Sequence, residues 1–367
     1  MAEILGIGMT HYPPLAGRDE NMMGILKGTL RDPAIPAELK DPANWPPRMR
    51  EEYGTDQGKA AAAEHRRDLL EGLGKVREAL DEFSPDFILI WGDDQYENFT
   101  EDIIPPFCIL AYDNIEAQPW TLKAPGMPGA ANVWNEGGEF MLKIQGHREG
   151  GKFLASGLIT EAFDVCYSYR PLHLQGIGHA FLNSVAYLDY HRKGFNHRLV
   201  CFAINCYGRK VISFRGGAAK FGQTPRPEDL DPPSPSPSRC FDLGAAAARV
   251  LKNSPYRVAL IASSSWSHAF LHDKAWRLYP DMQSDRAFYA ALRSGNYSHW
   301  RETPLSAVED SGQQEMLNWF CLAGAMAELK RKPSWSVFIE SYLFNSNKCF
   351  AIFPSTAPRC ATNSGER

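Results

Sequence analysis

The sequence has no CxxC pair, no internal repeat and no apolar run approaching the ~20 residues that a bilayer-spanning helix requires. The first absence removes the paired-thiol zinc and redox motifs, and the last removes a helical membrane protein. Charge of one sign is also missing. Lys and Arg number 39 against 43 Asp and Glu, a formal net charge of -4 over 367 residues, which is too balanced for a nucleic-acid or anionic-membrane surface. Small molecules are the expected partners, with no nucleic acid and no membrane. Eight cysteines are scattered along the chain, and Cys201, Cys206 and Cys321 stand in apolar runs, where a thiol behaves as a small hydrophobe. A reducing cytoplasm suits them. Glu3 leads straight into a strand pattern, without the basic and apolar regions of a signal peptide, so the expected location is cytoplasmic.

What is present is a set of three apolar runs that end in polar, metal-capable residues. Glu3 to Gly8 runs into Thr10 and His11, Phe87 to Ile90 into Asp93, Asp94 and Gln95, and Val258 to Ala262 into Ser267 and His268. In an open α/β sheet ligands bind outside the carboxyl ends of the strands, so the loops after these runs are where an enzyme's chemistry is expected.

Between them, Tyr12 to Tyr53 is rich in Pro, Gly and charge and reads as a long irregular stretch, a kind that is usually functional or an interaction surface. Asp56 to Phe83 has Leu69, Leu70, Leu73, Val76 and Leu80 near helical spacing and ends at Ser84-Pro85. Leu199 to Cys206 reads as a further strand, Asp229 to Ser238 as a Pro/Ser connector, and Cys240 to Leu251 as a helix. Gly312 to Leu329 is a strong helix pattern in which Met316, Trp319, Phe320, Ala323 and Met326 share a face. Residues 115–150 carry no clear periodicity. Apolar strand patterns flank the connector on both sides, so one catalytic domain is expected over 1–367, with inserted loops at about 18–53, 115–150 and 216–238.

Each candidate residue has an ordinary reading as well. His11 sits on a strand-to-loop turn before Tyr12-Pro13-Pro14, and a lone histidine is more often structural. His268 closes a run of small polar residues and could be a loop histidine bonded to a serine. Asp93, Asp94 and Gln95 crowd two acids and an amide at a strand end, where they serve a ligand or cap a helix. Glu315 lies near a helix start, where a carboxylate also suits the helix dipole.

Taken in order, these segments resemble the class III extradiol ring-cleaving dioxygenases, the family of the protocatechuate 4,5-dioxygenase catalytic (beta) subunit, in the manner of single-chain 3-O-methylgallate dioxygenase-like members. The likeness rests on Gly6 to Pro13, on Pro85 to Gln95 followed by Ile103 to Phe107, on Gly178-His179, and on Ser238 to Gly244. It continues through Ser267-His268 to Ser311-Gly312 with Glu315 and Trp319. It spans roughly Met1 to Phe353, with 18–53 and 115–150 poorly matched.

The resemblance implies a three-layer α/β sandwich with a central mixed sheet flanked by helices, and a non-haem Fe(II) enzyme that opens a catecholic ring of the protocatechuate, gallate or methylgallate kind with O₂. It implies His11 and Glu315 as metal ligands, His268 as the acid/base and His179 as a supporting donor. Where the protocatechuate enzyme has a third ligand, a histidine, this chain has Gln95. Gln95 ligates through its amide oxygen, or Asp94 or His65 takes its place, or the metal binds weakly or not at all; His65, beside Arg66 and Arg67, reads as part of a solvated face. Two neutral ligands and one carboxylate on one face of Fe(II) leave adjacent positions for substrate and O₂, and imidazole can move a proton both ways near neutrality. Arg170, Lys210 and Arg215 are equivalent choices for a substrate carboxylate. The protocatechuate enzyme closes its site with a separate small subunit, a task the inserted loops could fulfil here in a homodimer. The alternatives are a Zn-dependent hydrolase or lyase on the same scaffold and a non-catalytic binding subunit.

Overall fold

Apolar runs of six or seven residues that are buried on both faces read as the inner strands of a parallel sheet, and the computed structural model, which describes residues 2–120, 132–209 and 226–355, places them there. Its strands are β1 (Ile4–Met9), β2 (Phe87–Asp93), β3 (Phe107–Leu110), β4 (Asn114–Ala117), β5 (Leu142–Gln145), β6 (Cys166–Ser168), β7 (Leu199–Ile204), β8 (Val258–Ser263), β9 (Trp335–Ile339) and β10 (Lys348–Phe353). Eight form one sheet in the order β6-β3-β7-β2-β8-β1-β10-β9, and β4 and β5 make a separate two-stranded ribbon. The four neighbours β7, β2, β8 and β1 run parallel, with Met9 opposite Ser263 and Asp93 opposite Ile204. Their carboxyl ends therefore open on one edge. Antiparallel pairings of β3 with β7, β10 with β1 and β9 with β10 make the sheet mixed.

Side chains alternate across a strand, and both faces of this sheet are covered. Phe87, Leu89, Trp91, Leu260 and Ala262 pack with the Pro237–Lys252 and Leu317–Glu328 helices, while Ile88, Ile90, Ile7, Met9 and Ile261 pack with the Lys59–Phe83 and His179–Leu188 helices. This is the expected α/β architecture of a mixed central sheet flanked by helices. No helix among the described residues is long and apolar enough to cross a membrane.

Several sequence boundaries shift for physical reasons. The helix expected from Asp56 starts at Lys59, because the Asp56 carboxylate accepts the N–H groups of Gly58 and Ala60 and so precedes the first turn. The helix expected from Gly312 starts at Leu317, after a 3₁₀ turn at Gln314–Met316. Gly312 is left-handed at φ 67° and a side chain there would meet the His268 carbonyl, so Glu315 stands in a tight turn rather than on a helix face. The Tyr12–Tyr53 stretch contains helices at Gly24–Leu30 and Pro47–Tyr53, and residues 115–150 contain β4, β5 and the start of an Arg148–Thr160 helix. The reading of His65 on a solvated face is corrected: with Ala62, Leu69, Gly72, Leu73 and Val76 it lies on the buried stripe of its helix.

The two helices behind β2 and β8 meet through glycines. A Cβ on Gly244 would overlap the Cys321 carbonyl oxygen, and one on Gly324 the Phe241 carbonyl oxygen. Gly244→Ala is expected to cost about 1 to 3 kcal/mol, as overpacking of a filled core does. The check is a lowered urea midpoint at unchanged slope; an unchanged midpoint would show that the helices can part freely.

Candidate metal centre

Three strand ends and two turns build the site. After β1, the Thr10 hydroxyl accepts the Tyr12 N–H at 3.2 Å and bonds Ser265 at 2.9 Å, which folds the chain back so that His11 faces the end of β8. Nδ1 of His11 lies 3.1 Å from the Ser263 carbonyl oxygen. A carbonyl only accepts, so the proton sits on Nδ1 and the Nε2 lone pair points away from it. That Nε2 is 3.7 Å from Oδ1 of Asp93, the last residue of β2, and 3.8 Å from Oε2 of Glu315. His179 opens its helix, and both its backbone N–H and its Nδ1 bond one oxygen of Glu97, at 3.1 and 2.9 Å. The His11 and His179 rings meet edge to face at 5.2 Å. One ligand atom from each of His11, Asp93 and His179, all buried, lies within 4.8 Å of the others.

Glu315 links this group to a third histidine. Its Oε2 faces His11, and its Oε1 lies 3.4 Å from Nε2 of His268 and accepts the Tyr207 hydroxyl. The Gln95 amide donates to the same Tyr207 hydroxyl and lies 3.4 Å from Oε1. His268 is held through its backbone, donating its N–H to the Gly312 carbonyl at 2.8 Å and bridging Ser346.

Burial sets the charges. It holds His11 well below the ordinary imidazole range, with help from His179 and His268, and burial together with the Lys348 ammonium lowers His268 to about 3. His179 goes the other way: burial disfavours its cation, but Glu97, then Asp93 and Glu315, raise it to about 10. Burial pushes Asp93 up to about 6, and burial with the Asp93 charge pushes Glu315 well above the carboxylate range. Among the described residues, neither oxygen of Asp93 nor Oε2 of Glu315 has a hydrogen-bond partner. Two buried carboxylates with orphaned oxygens, beside an imidazole lone pair, are a donor set that a divalent cation satisfies and that protein groups alone leave unpaired.

Residues 230–351 match the family model of the catalytic LigB subunit of aromatic ring-opening dioxygenase. No curated protein matches the chain. The LigB-matching segment carries β8, His268, Glu315 and Lys348. His11, Asp93 and His179 precede it, and His11 meets it at the Ser263 carbonyl and at Glu315.

Of the residues singled out in the sequence, the fold brings His11, Gln95, His179, His268 and Glu315 to the edge where the LigB-matching segment meets β1 and β2. Asp94 is turned elsewhere: its carboxylate accepts the N–H groups of Glu97, Asn98 and Phe99 and so ties up the loop after β2 rather than capping a helix. His65 packs against Tyr12 and Phe344. Arg170 is exposed, and Lys210 and Arg215 lie outside the described residues. Sequence reasoning gave no separate role to Asp93 and missed Glu97 and Tyr207. The only signal for Asp93 was its place at the end of an apolar run; Glu97 and Tyr207 left none.

Glu97 orients His179 as an outer carboxylate orients a ligating imidazole. Such partners are typically worth 10–100-fold in metal affinity. Glu97→Gln is therefore expected to weaken divalent-metal binding by about 10–100-fold with the fold retained, measured by competition against a chelator; unchanged affinity would leave Glu97 as a cap of the His179 helix.

Proposed function

We propose that the chain is a non-haem Fe(II)-dependent extradiol dioxygenase that opens a catecholic ring of the protocatechuate, gallate or methylgallate kind with O₂. The observation that carries this reading is the buried group of two imidazoles and one carboxylate, His11, His179 and Asp93, at the sheet edge shared with the LigB-matching segment. Two histidines and a carboxylate are the donor set of non-haem Fe(II) oxygenases. In this reading His11, Asp93 and His179 hold the metal with Glu315 beside them, which moves His179 from supporting donor to ligand and replaces the set of His11, Gln95 and Glu315 that the resemblance implies. Fe(II) held by these residues would supply the redox-active centre at which a dihydroxylated ring and O₂ are brought together.

The chain's own groups manage the protons. His268 is held neutral, the form that accepts a proton from a substrate hydroxyl at Nε2 and later returns it. Glu315 Oε1 faces that nitrogen at 3.4 Å, and once the metal holds Glu315 ionised it steadies the imidazolium formed. The Tyr207 hydroxyl and the Gln95 amide fix the Glu315 carboxylate from behind. A cytoplasmic homodimer that needs no separate small subunit belongs to the same reading.

The test is anaerobic reconstitution with Fe(II), then O₂ uptake with catechol, protocatechuate, gallate and 3-O-methylgallate. One O₂ consumed per ring opened is expected on at least one of them. Bound metal without uptake on any would favour a hydrolase or lyase, and absence of bound metal a non-catalytic subunit.

A further inference from the structure

Asp285 lies within the Met282–Ser294 helix, is fully buried, and has no part in the reaction described above. Its carboxylate gathers three segments. Both oxygens lie 3.2 Å from the Ser267 N–H, Oδ1 accepts the Gln313 amide at 2.6 Å, and Oδ2 accepts the Asn347 amide at 2.8 Å. Ser267 precedes His268, Gln313 stands two residues before Glu315, and Asn347 follows Ser346, the residue that bridges His268. In this arrangement the Ser267, Gln313 and Asn347 groups all donate to Asp285, and its two oxygens accept from all three.

The same three segments are bound to each other at His268. Its N–H donates to the Gly312 carbonyl, Trp266 donates to the Asn347 carbonyl at 2.9 Å, and Ala269 to the Asn345 carbonyl at 2.7 Å. The Ser267 hydroxyl donates to the Ser311 carbonyl at 2.8 Å and accepts the Asp281 N–H at 2.7 Å. Meanwhile the His268 ring has no hydrogen bond at Nδ1. Beside its edge-to-face contact with Phe270 and the 3.4 Å approach to Glu315, the ring is aimed by the backbone on either side of it.

We propose that Asp285 is a positioning residue that fixes His268 relative to Glu315 by holding the Ser267, Gln313 and Asn347 segments on one buried carboxylate. The proposal rests on the reading of His268 as the acid/base, and its test includes a measurement that does not.

Asp285→Asn keeps the volume and turns one acceptor into a donor facing the Gln313 amide. Misplacement of a catalytic group by about 1 Å can cost 10²-fold, so kcat is expected to fall by about 10- to 100-fold while KM and Fe(II) content stay near wild type. In metal-free protein with labelled histidines, the His268 imidazole signal, identified by its loss in His268→Ala, is expected to broaden or split. Adding Gln313→Glu to Asp285→Asn restores a donor facing an acceptor, and should restore both kcat and the single His268 signal. A His268 signal and kcat unchanged by Asp285→Asn would overturn the proposal. So would a variant that loses metal and activity together without recovery in the double variant, which marks Asp285 as a core residue only. If Asp285→Asn does not fold, Gln313→Met removes one donor at similar volume, and an unmoved His268 signal there overturns the proposal equally. Should the wild type open no ring, the His268 signal alone decides, so failure of the ring-cleavage reading is seen separately.

Discussion

His268→Ala is expected to keep its metal and to lose turnover by ~10² to 10⁴, the usual worth of a general acid–base group. The variant isolates the ring, because the loop is held by backbone bonds from His268 N–H to Gly312 and from Ala269 N–H to Asn345, which alanine retains. Nor does it remove a group from the His11–Asp93–His179 cluster. The imidazole that is lost is neutral at pH 7, since burial and Lys348 hold its pKa at about 3. Removing it takes away a base rather than a charge, so substrate binding should change little and the loss should fall on kcat. Steady-state O₂ uptake with metal analysis of the same samples checks this, and turnover close to wild type would take His268 out of the mechanism.

Much of the architecture was legible because apolar runs and their polar ends are local signals. The runs that became β1, β2 and β8 were read within one to three residues of their ends, and the three strands proved to be parallel neighbours, so the polar residues after them converge. The short strands β4, β5 and β6 were not read, since three or four residues carry too little periodicity to separate from loop. Side-chain roles were harder. Asp94 and Asp93 are adjacent acids with the same local surroundings, yet Asp94 accepts three backbone N–H groups and Asp93 accepts none. The difference lies in where β2 ends: Asp93 is its last residue and Asp94 begins the following turn. Glu97 and Tyr207 act on groups 82 and 108 positions away, a pairing made only by the order of strands in the sheet. His65 was misread for a related reason: flanking arginines suggested a wet face, but helical spacing with Ala62 and Leu69 puts it in the core.

That contrast between neighbouring residues sets up the test with the sharpest separation. If His11, Asp93 and His179 hold the metal, Asp93→Asn removes a carboxylate whose two oxygens accept no hydrogen bond among the described residues, and Fe(II) affinity should fall by more than the roughly 100-fold that marks the upper end for outer-shell partners. Gln95→Ala should behave differently. The Gln95 amide is already engaged with Tyr207 and lies beside Glu315, so its loss should loosen Glu315 and reduce turnover while Fe(II) affinity drops by no more than about 10–100-fold. Glu315→Ala should fall between the two, because Asp93 still supplies one anion facing His11. Chelator competition on the three variants orders them. The reverse order, with Gln95→Ala losing the metal and Asp93→Asn keeping it, would restore the set of His11, Gln95 and Glu315 and leave Asp93 as a buried acid without a ligand role. An amide oxygen is a weaker donor than a carboxylate, so under that outcome the wild type itself should lose Fe(II) on dialysis and regain activity when Fe(II) is added, whereas a site built on Asp93 and Glu315 should retain it.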